Sequence, residues 1–386
     1  MSRHRRVAIM VGLDWPLGHH HQVFAGIQRY ALECGRWECF INPYADHLLT
    51  DPLKKAGIDG IIARATPNLL IRAKSANVPV VNVWKNSIAR CVASVFPDFV
   101  QSGRMAAEHL LSRGLRSFAF LGIDELTSSQ TQLQGFSETL ATSGHSYSQC
   151  LVDPAYDTTA ENWHQFQEKL SLWMASWSLP VGVLVHTDFM CRFLAEACRY
   201  KHLEIPQSVT LIGSGNEVLI DTAAYPTLSS IDFGYEQIGF RAAQLLEELM
   251  DGSLLPEQPI VLQPVALVVR QSSDAFVADD PIVSQALRFI TDTLHLGVNV
   301  DQVASHVATT RRTLSRRFNR SLGQTIHDAI TQLRLERVKR QLIDTKVALK
   351  TVAVECGFRD AIHLCKVFQR VEKTSPSEYR AQRTMR

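Results

Sequence analysis

The end of the chain concentrates residues that could bind a polyanion. Of the 386 residues, those after Pro281 include 19 Lys and Arg against 9 Asp and Glu, a balance of +10. The residues before Ile282 carry 21 basic and 29 acidic side chains, a balance of −8, so the overall charge of +2 hides an asymmetry. A basic segment on an acidic body predicts that only this segment meets a nucleic acid. The alternative is the solvated face of a basic helical bundle.

A second group of polar residues follows short apolar runs earlier in the chain. Asp98, Asp188 and Asn216 come after runs of strand-forming residues, and Trp15 follows the first such run. Ligands of open α/β sheets bind outside the carboxyl ends of the strands, so these four are candidates for ligand contact. The structural alternative for the Asp and Asn residues is that they cap the helix that follows.

Alternating strand and helix patterns must position these residues. RVAIMVGL, GIIAR, VPVVNVW, SFAFLGI, VGVLVHTD and VTLIGSG predict strands, and helix-period segments such as SGRMAAEHLLSRG lie between them. This alternation predicts βαβ units and a parallel sheet covered on both faces. The roughly 265 residues are many for one sheet, so we expect an α/β unit of two lobes with a cleft. The polar stretch SSDAFVADDP predicts a linker at 272–281, between this unit (1–271) and an all-α unit (282–386).

Two segments of the all-α unit share one pattern. VASHVATTRRTLSRRF and VAVECGFRDAIHLCKVF each run from Val-Ala through a small residue, Ala308 or Gly357, into a second helix. Thr310 and Asp360 are placed to cap that second helix. The pattern predicts two helix-turn-helix units, and the stretch from Thr325 to Ile343 predicts one long helix between them.

The second of these segments resembles the AraC/XylS family of transcription regulators. The GF turn, the KVF helix and the final SPSEYR carry the resemblance, which covers roughly the last 100 residues. It implies sequence-specific binding of double-stranded DNA by seven helices that include both helix-turn-helix units. The chain departs from the family at Leu364, Lys366 and Lys373, where an aromatic residue, Arg and Gly are common.

The same resemblance implies which residues face DNA. Arg can read guanine edges, and Ile can pack on a thymine methyl. The residues expected to contact bases are Arg312, Ser315 and Arg316 in the first unit and Ile362, His363 and Lys366 in the second. Arginines at other exposed positions are expected to hold phosphates, which adds affinity rather than sequence preference. These are Arg311, Arg317, Arg320 and Arg370.

Two N-terminal segments are similar to the effector domain of LacI-type regulators, which is built like periplasmic sugar-binding proteins. They are VASVFPDFVQSGRMAAEHLLSRGLRSFAFLG and LSSIDFGYEQIGFRAAQLLEELMDG. The order of the two domains resembles that of xylose-operon regulators. The resemblance implies a cleft that binds a monosaccharide, D-xylose first. It also implies a homodimer on an operator with repeated half-sites, and contact with RNA polymerase if the protein is an activator.

A sugar site needs carboxylates and amides for the hydroxyl groups and a flat aromatic ring, which Asp98, Asp188, Asn216 and Trp15 would supply. Two family Arg positions correspond to His21 and Gln132, and a family Asp position corresponds to Gly215. Each charge-assisted hydrogen bond lost in this way is worth roughly 1.5–3 kcal/mol. A different ligand, or a domain that only dimerises, therefore stays open.

Other functional classes find little support in the sequence. It contains no P-loop, GxSxG, HExxH or GxGxxG motif, although a catalytic carboxylate pair is not excluded. The eight cysteines form no metal-ligand spacing, and three consecutive residues, His19 to His21, do not readily face one ion, so we expect neither metal nor cofactor. No apolar run approaches the roughly 20 residues of a membrane helix. With no export signal, we expect a cytoplasmic protein with reduced thiols.

Overall fold

The computed structural model describes residues 4–13, 18–49, 57–89, 93–223, 225–274, 280–344 and 347–384. Its strands are β1 (Arg5–Met10), β2 (Trp37–Ile41), β3 (Gly60–Ala63), β4 (Val80–Asn82), β5 (Ala93–Pro97), β6 (Ser117–Ile123), β7 (Ser148–Val152), β8 (Val181–Val185), β9 (Val209–Ser214), β10 (Ser229–Asp232), β11 (Ile260–Leu262) and β12 (Ala266–Val268). The strands form two six-stranded sheets, with the orders β11-β5-β4-β3-β1-β2 and β12-β10-β9-β8-β6-β7. We call the sheets with their helices the first and second lobe. Every strand pair is parallel except β10 with β12.

Helices cover both sheets, and the chain crosses between the lobes more than once. The helices of this unit are α1 (Gly18–Cys34), α2 (Ala45–Leu48), α3 (Pro67–Ala76), α4 (Phe99–Ser112), α5 (Thr127–Thr142), α6 (Ala160–Ala175), α7 (Asp188–Tyr200), α8 (Val218–Thr222) and α9 (Tyr235–Met250). After β5 the chain enters the second lobe, where α4 packs on α5 and β8. After β10 it returns, and α9 packs on α1, β3, β4 and β5. Strands β11 and β12 make the last crossing, so three segments connect the lobes at the cleft.

Glycine lets the helix pairs at the cleft approach closely. A Cβ on Gly26 of α1 would lie 1.9 Å from the Glu236 carbonyl oxygen of α9, and one on Gly239 would lie 1.9 Å from the Val23 carbonyl oxygen. In the second lobe, a Cβ on Gly103 of α4 would lie 2.0 Å from the Gln132 carbonyl oxygen of α5, and one on Gly135 of α5 would lie 1.9 Å from the Val100 carbonyl oxygen of α4. Each lobe therefore holds the N-terminal ends of two tightly packed helices at the cleft.

The remaining helices build the basic unit. They are α10 (Pro281–Thr293), α11 (Val300–His306), α12 (Arg311–Leu322), α13 (Ile326–Asp344), α14 (Leu349–Glu355), α15 (Ala361–Glu372) and α16 (Pro376–Thr384). Helices α11 and α12 form one helix-turn-helix unit, α14 and α15 form the other, and α13 is the predicted long helix between them. The predicted caps are confirmed: the Thr310 hydroxyl accepts from Thr313 N at 3.2 Å, and the Asp360 carboxylate accepts from His363 N at 2.7 Å. Ala308 and Gly357 have φ of 50° and 76°, as a sharp turn between helices requires.

The segment between the two units begins as packed chain. Gln271–Ser273 forms a 3₁₀ turn against β9 and β10, and Ser272 and Ser273 are fully buried. The carboxylate of Asp280 caps α10 by accepting from the backbone nitrogen of Ile282 at 2.9 Å. Within the described residues, no helix has the length and hydropathy needed to cross a membrane.

Candidate effector cleft and DNA-binding surface

Asp188 and Asn216, which are 28 positions apart in the sequence, meet through one serine at the strand ends of the second lobe. The hydroxyl of Ser230 donates to Asp188 Oδ1 at 2.5 Å and accepts from the backbone nitrogen of Asn216 at 2.9 Å. The other carboxylate oxygen of Asp188 accepts from the backbone nitrogen of Glu217 at 2.9 Å. Asp188 is 1% exposed, and burial raises its pKa to about 6. Both oxygens therefore organise the strand ends, and each keeps a second lone pair with which it could accept from a ligand.

Glycine makes room for that carboxylate. A Cβ on Gly213 would lie 2.2 Å from Asp188 Oδ1, and a Cβ on Gly215 would lie 3.1 Å from Asp188 Oδ2. Gly215 also has a φ of +130°, which L side chains rarely adopt. The family's Asp at this position therefore does not fit the backbone found here, because it would crowd Asp188.

Gln132 lies in a second buried network of the same lobe. It is fully buried, and its Nε2 donates to Ser214 Oγ at 2.8 Å and to Ser102 Oγ at 3.1 Å. Burial lowers the pKa of His186 to about 4, so the ring is neutral near pH 7. Its Nδ1 then donates to Gln132 Oε1 at 2.8 Å, and its Nε2 accepts from the Ser128 hydroxyl at 3.1 Å. Gln132 therefore braces the strand ends, with all of these polar groups hydrogen-bonded to protein.

In the part of the chain that the structure describes, side chains on both sides of the cleft join the two lobes. The carboxylate of Glu217, in the second lobe, accepts from the backbone nitrogens of Gly18 (2.9 Å) and His19 (3.1 Å) at the start of α1. The His19 ring nitrogen Nδ1 lies 3.5 Å from the same carboxylate. On the other side, Asn86 Oδ1 accepts from the backbone nitrogen of Ser128 at 2.9 Å. An anion is favoured at a helix N-terminus, and here the protein's own carboxylate fills that position.

An arginine stacked on tryptophan lines the first lobe. Arg64 follows β3 and Trp84 follows β4, and the guanidinium carbon lies 4.1 Å from the centre of the indole ring. Burial lowers the pKa of Arg64. His20 is also buried there; burial lowers its pKa to about 4, and its Nδ1 contacts the Gly12 carbonyl oxygen at 2.6 Å. This face supplies a flat aromatic ring and hydrogen-bond donors, which are groups that a sugar site uses.

The other predicted contacts fall in different places. Asp98 caps α4 by accepting from Gln101 N at 2.9 Å, and its second oxygen accepts from Gln263 Nε2 at 2.8 Å. His21 is exposed on α1, and its neighbour His19 makes the contact to the opposite lobe. Trp15 lies outside the described residues. Like Asp188, Asn216 and Gln132, these three residues stay predictions as ligand contacts.

Sequence reasoning missed four cleft residues: Arg64, Trp84, His186 and Glu217. Three of them follow a strand directly or within two residues, so the rule that selected Asp98 would also have found Arg64, Trp84 and His186. Glu217 follows Asn216, and only its contact with α1 distinguishes it. A cavity of about 600 Å³ between α6 and α7 is lined by Trp163, Phe166 and Phe193 and lies away from the strand ends.

The second helices of the two helix-turn-helix units expose matching faces. Leu314 and Phe318 of α12 are fully buried, as are Leu364 and Phe368 of α15. Of the residues predicted to face DNA, those that are exposed are Arg311, Arg312, Arg316, Arg320, Ile362, Lys366 and Arg370. With a spacing of 50 residues, Arg312 matches Ile362, Arg316 matches Lys366 and Arg320 matches Arg370.

Three of the predicted DNA contacts are less accessible. Ser315 and His363 are half-buried, and the ring of His363 lies 5.6 Å from that of Phe358. Arg317 is also half-buried, and its Nη1 lies 2.6 Å from the Asp280 carboxylate at the start of α10. Part of the Arg317 guanidinium is therefore engaged within the protein, which leaves fewer donors for a phosphate.

Comparison with known proteins agrees with this architecture. Residues 107–273 match the family model of a periplasmic binding protein-like domain, and residues 303–382 match that of a helix-turn-helix domain. The chain is similar to xylose operon regulatory proteins over nearly its whole length. Those of Haemophilus influenzae and Escherichia coli K12 are each 29% identical over 94% of this chain and cover 95% and 94% of their own lengths.

Solved structures match either the whole chain or its two lobes. The structure of a xylose-binding transcription activator covers 98% of both chains at 26% identity, with a TM-score of 0.62. The cellobiose complex of the transcriptional regulator CelR covers 70% of this chain and 86% of its own, at 20% identity and a TM-score of 0.55, which supports the fold of the two lobes alone. The predicted fold class, a two-lobed periplasmic-binding-protein-like unit followed by helices with two helix-turn-helix units, is confirmed.

Proposed function

We propose that this protein is a sequence-specific transcription regulator whose DNA binding is controlled by a monosaccharide held between the two lobes. The observation that supports the proposal is that one chain combines a cleft lined by strand-end polar groups with two helix-turn-helix units whose exposed faces are basic. D-xylose is the first candidate because the relatives similar over nearly the whole chain are named for xylose. Asp188, Asn216, Arg64 and Trp84 are the side chains we expect around the sugar.

The proposal extends to the partners. We propose a homodimer on an operator with repeated half-sites, because two identical DNA-binding units, each with two helix-turn-helix units, match a repeated site. We favour activation through RNA polymerase over repression, since a solved structure similar over both units is that of a transcription activator. The proposed units are 1–271 and 282–386, with 272–281 between them.

A second candidate is a DNA-binding protein whose lobes only dimerise. The observation in its favour is that Asp188 has both oxygens bonded within the protein and that Glu217 occupies the start of α1. A protein of this kind would bind DNA in the same way with and without sugar. Catalysis is not part of either candidate, because the relatives similar over the whole chain are regulators.

A titration separates the two candidates. Purified protein is titrated with a panel of pentoses and hexoses while its thermal unfolding is followed, since a ligand that binds only the folded state raises the Tm in a saturable way. A saturable rise in Tm with D-xylose supports the proposal. A saturable rise with a different sugar instead would make that sugar the effector. No shift with any sugar favours the dimerisation domain.

DNA binding is tested separately. Duplexes selected by the protein from a random library are assayed with and without the sugar at several salt concentrations. We expect a repeated half-site, an affinity that falls steeply with salt as phosphate contacts require, and a change in affinity when sugar is added. Equal affinity for selected and scrambled duplexes would contradict sequence-specific binding.

A further inference from the structure

Arg270 connects a cleft residue to the segment that leads to the DNA-binding unit. Its Nη2 donates to the Asn216 side-chain oxygen at 2.6 Å, and its Nη1 lies 3.1 Å from the carboxylate of Asp221 and 2.8 Å from the Leu228 carbonyl oxygen. Asp221 is fully buried and the Arg270 side chain is 14% exposed. The guanidinium is therefore fixed by three partners, one of which is a predicted ligand contact.

The residues directly after Arg270 are packed just as firmly. The backbone nitrogen of Ser272 donates to the Thr227 carbonyl oxygen at 2.9 Å, and its hydroxyl donates to the Leu211 carbonyl oxygen at 2.7 Å. The Ser273 hydroxyl contacts Ser229 Oγ at 2.8 Å and His109 Nε2 at 3.0 Å. Because Ser272 and Ser273 are fully buried, a shift of Arg270 cannot be absorbed by loose chain before Asp274.

The other end of this path reaches the opposite lobe. Asn216 precedes Glu217, whose carboxylate binds the start of α1 in the first lobe. Gly18 and His19 belong to the first lobe, so opening the cleft would break this contact, and a ligand in the cleft would lie beside the same strand ends. Either event would change the surroundings of Asn216, whose side chain Arg270 contacts.

From this we infer that Arg270 is the positioning residue that couples the cleft to the DNA-binding unit: a change at Asn216 moves Arg270 and, with it, the turn Gln271–Ser273. The inference rests on the proposed function, since it requires a ligand that favours one state of the cleft. A ligand shifts such an equilibrium only by its difference in affinity for the two states. The coupling is measurable as the factor by which sugar changes DNA affinity.

The test removes the guanidinium without leaving a buried charge. Losing Arg270 alone would strand the Asp221 carboxylate and risk unfolding, so the variant is the double Arg270→Gln with Asp221→Asn. Arg72→Gln with Asp46→Asn is the matched control, because it removes another partly buried pair (2.8 Å) from the first lobe. Binding of D-xylose is measured for all three proteins, and binding of a duplex selected by the wild type is measured both without sugar and with sugar at saturation.

In the wild type and the control we expect sugar to change DNA affinity by about 10-fold, within the usual range of coupling. In the Arg270 variant we expect sugar and DNA each still to bind, while saturating sugar changes the DNA affinity by less than about twofold. Retention of the wild-type factor in this variant overturns the inference.

A second measurement uses only the wild type, so it does not depend on whether the variant folds. Amide hydrogen exchange at Ser272 and Ser273 should change when saturating D-xylose is added, because the turn moves with Arg270. Sugar binding without any change there overturns the inference and leaves the proposed function standing. Absence of binding by every sugar in the panel overturns both.

Discussion

The carboxylate of Glu217, in the second lobe, lies 3.5 Å from Nδ1 of His19, in the first lobe. The same carboxylate accepts backbone hydrogen bonds at the start of α1, so this side chain makes one of the contacts that hold the cleft in the arrangement seen here. Glu217→Gln removes the charge but keeps an acceptor, and we expect a loss of about 1 kcal/mol in unfolding free energy and a more open cleft. Thermal denaturation and small-angle X-ray scattering without ligand would measure both effects. Glu248→Gln is the control, because it disrupts an exposed ion pair with Arg241.

The effect of Glu217 should depend on pH in a defined direction. Burial raises the pKa of Glu217, but hydrogen bonds from His19 and Gly18 outweigh it, so the pKa lies below the ordinary 4.5. A lowered pKa in the folded state gives stability that is present above pH 4.5 and is lost as pH falls through the folded value. The difference in unfolding free energy between the wild type and Glu217→Gln should therefore shrink below that pH. A difference that grows on acidification would contradict this.

Restoring the family's Asp at position 215 should destabilise the protein. Gly215→Asp places a Cβ 3.1 Å from Asp188 Oδ2 at a φ of +130°, and it adds a second carboxylate beside a buried one. We expect a loss of more than about 2 kcal/mol, from backbone strain together with charge repulsion. Gly252→Asp is the control for positive φ alone, since its φ is +91° and a Cβ there meets nothing within 4 Å. Equal losses in chemical denaturation would mean that Asp188 does not oppose the substitution.

The two helix-turn-helix units end their second helices in the same backbone conformation with different residues. Gly323 follows α12 with φ of 65°, and Lys373 follows α15 with φ of 60°. Lys373→Gly should raise the unfolding free energy by about 1 kcal/mol, and Gly323→Lys should lower it by a similar amount. Urea denaturation of the full chain tests the pair. A stabilising Gly323→Lys would show that the left-handed conformation is not what decides stability there.

Neighbouring arginines on α12 should behave differently. Arg316 is exposed, and Arg316→Ala should weaken binding of the selected duplex by about 1–3 kcal/mol while relaxing preference at one base pair. Arg317 is paired with Asp280, so Arg317→Ala should cost less DNA affinity and lower the Tm instead. Fluorescence anisotropy on matched and mismatched duplexes, together with thermal unfolding, distinguishes the two roles. If Arg317→Ala lost as much DNA affinity as Arg316→Ala without a change in Tm, Arg317 would contact a DNA phosphate instead of stabilising the fold.

Local patterns in the sequence were enough for the architecture and for the helix-turn-helix units. Strand runs such as VTLIGSG, and the caps Thr310 and Asp360, depend on neighbours within a few residues, and the structure confirms them. The sequence also predicted that Asp188 and Asn216 lie close together at the strand ends, because the carboxyl ends of parallel strands meet at one edge of a sheet.

Tertiary structure decided which side chains meet across the cleft. Successive residues of a helix point about 100° apart, so the sequence could not tell whether His19 or His21 faces the opposite lobe. Arg270 is 54 positions from Asn216, and Glu217 is 199 positions from Gly18, so no local pattern links either pair. The sequence by itself determined the elements and their order, since these depend on nearby residues; the contacts that join cleft, lobes and DNA-binding unit depend on packing between distant segments.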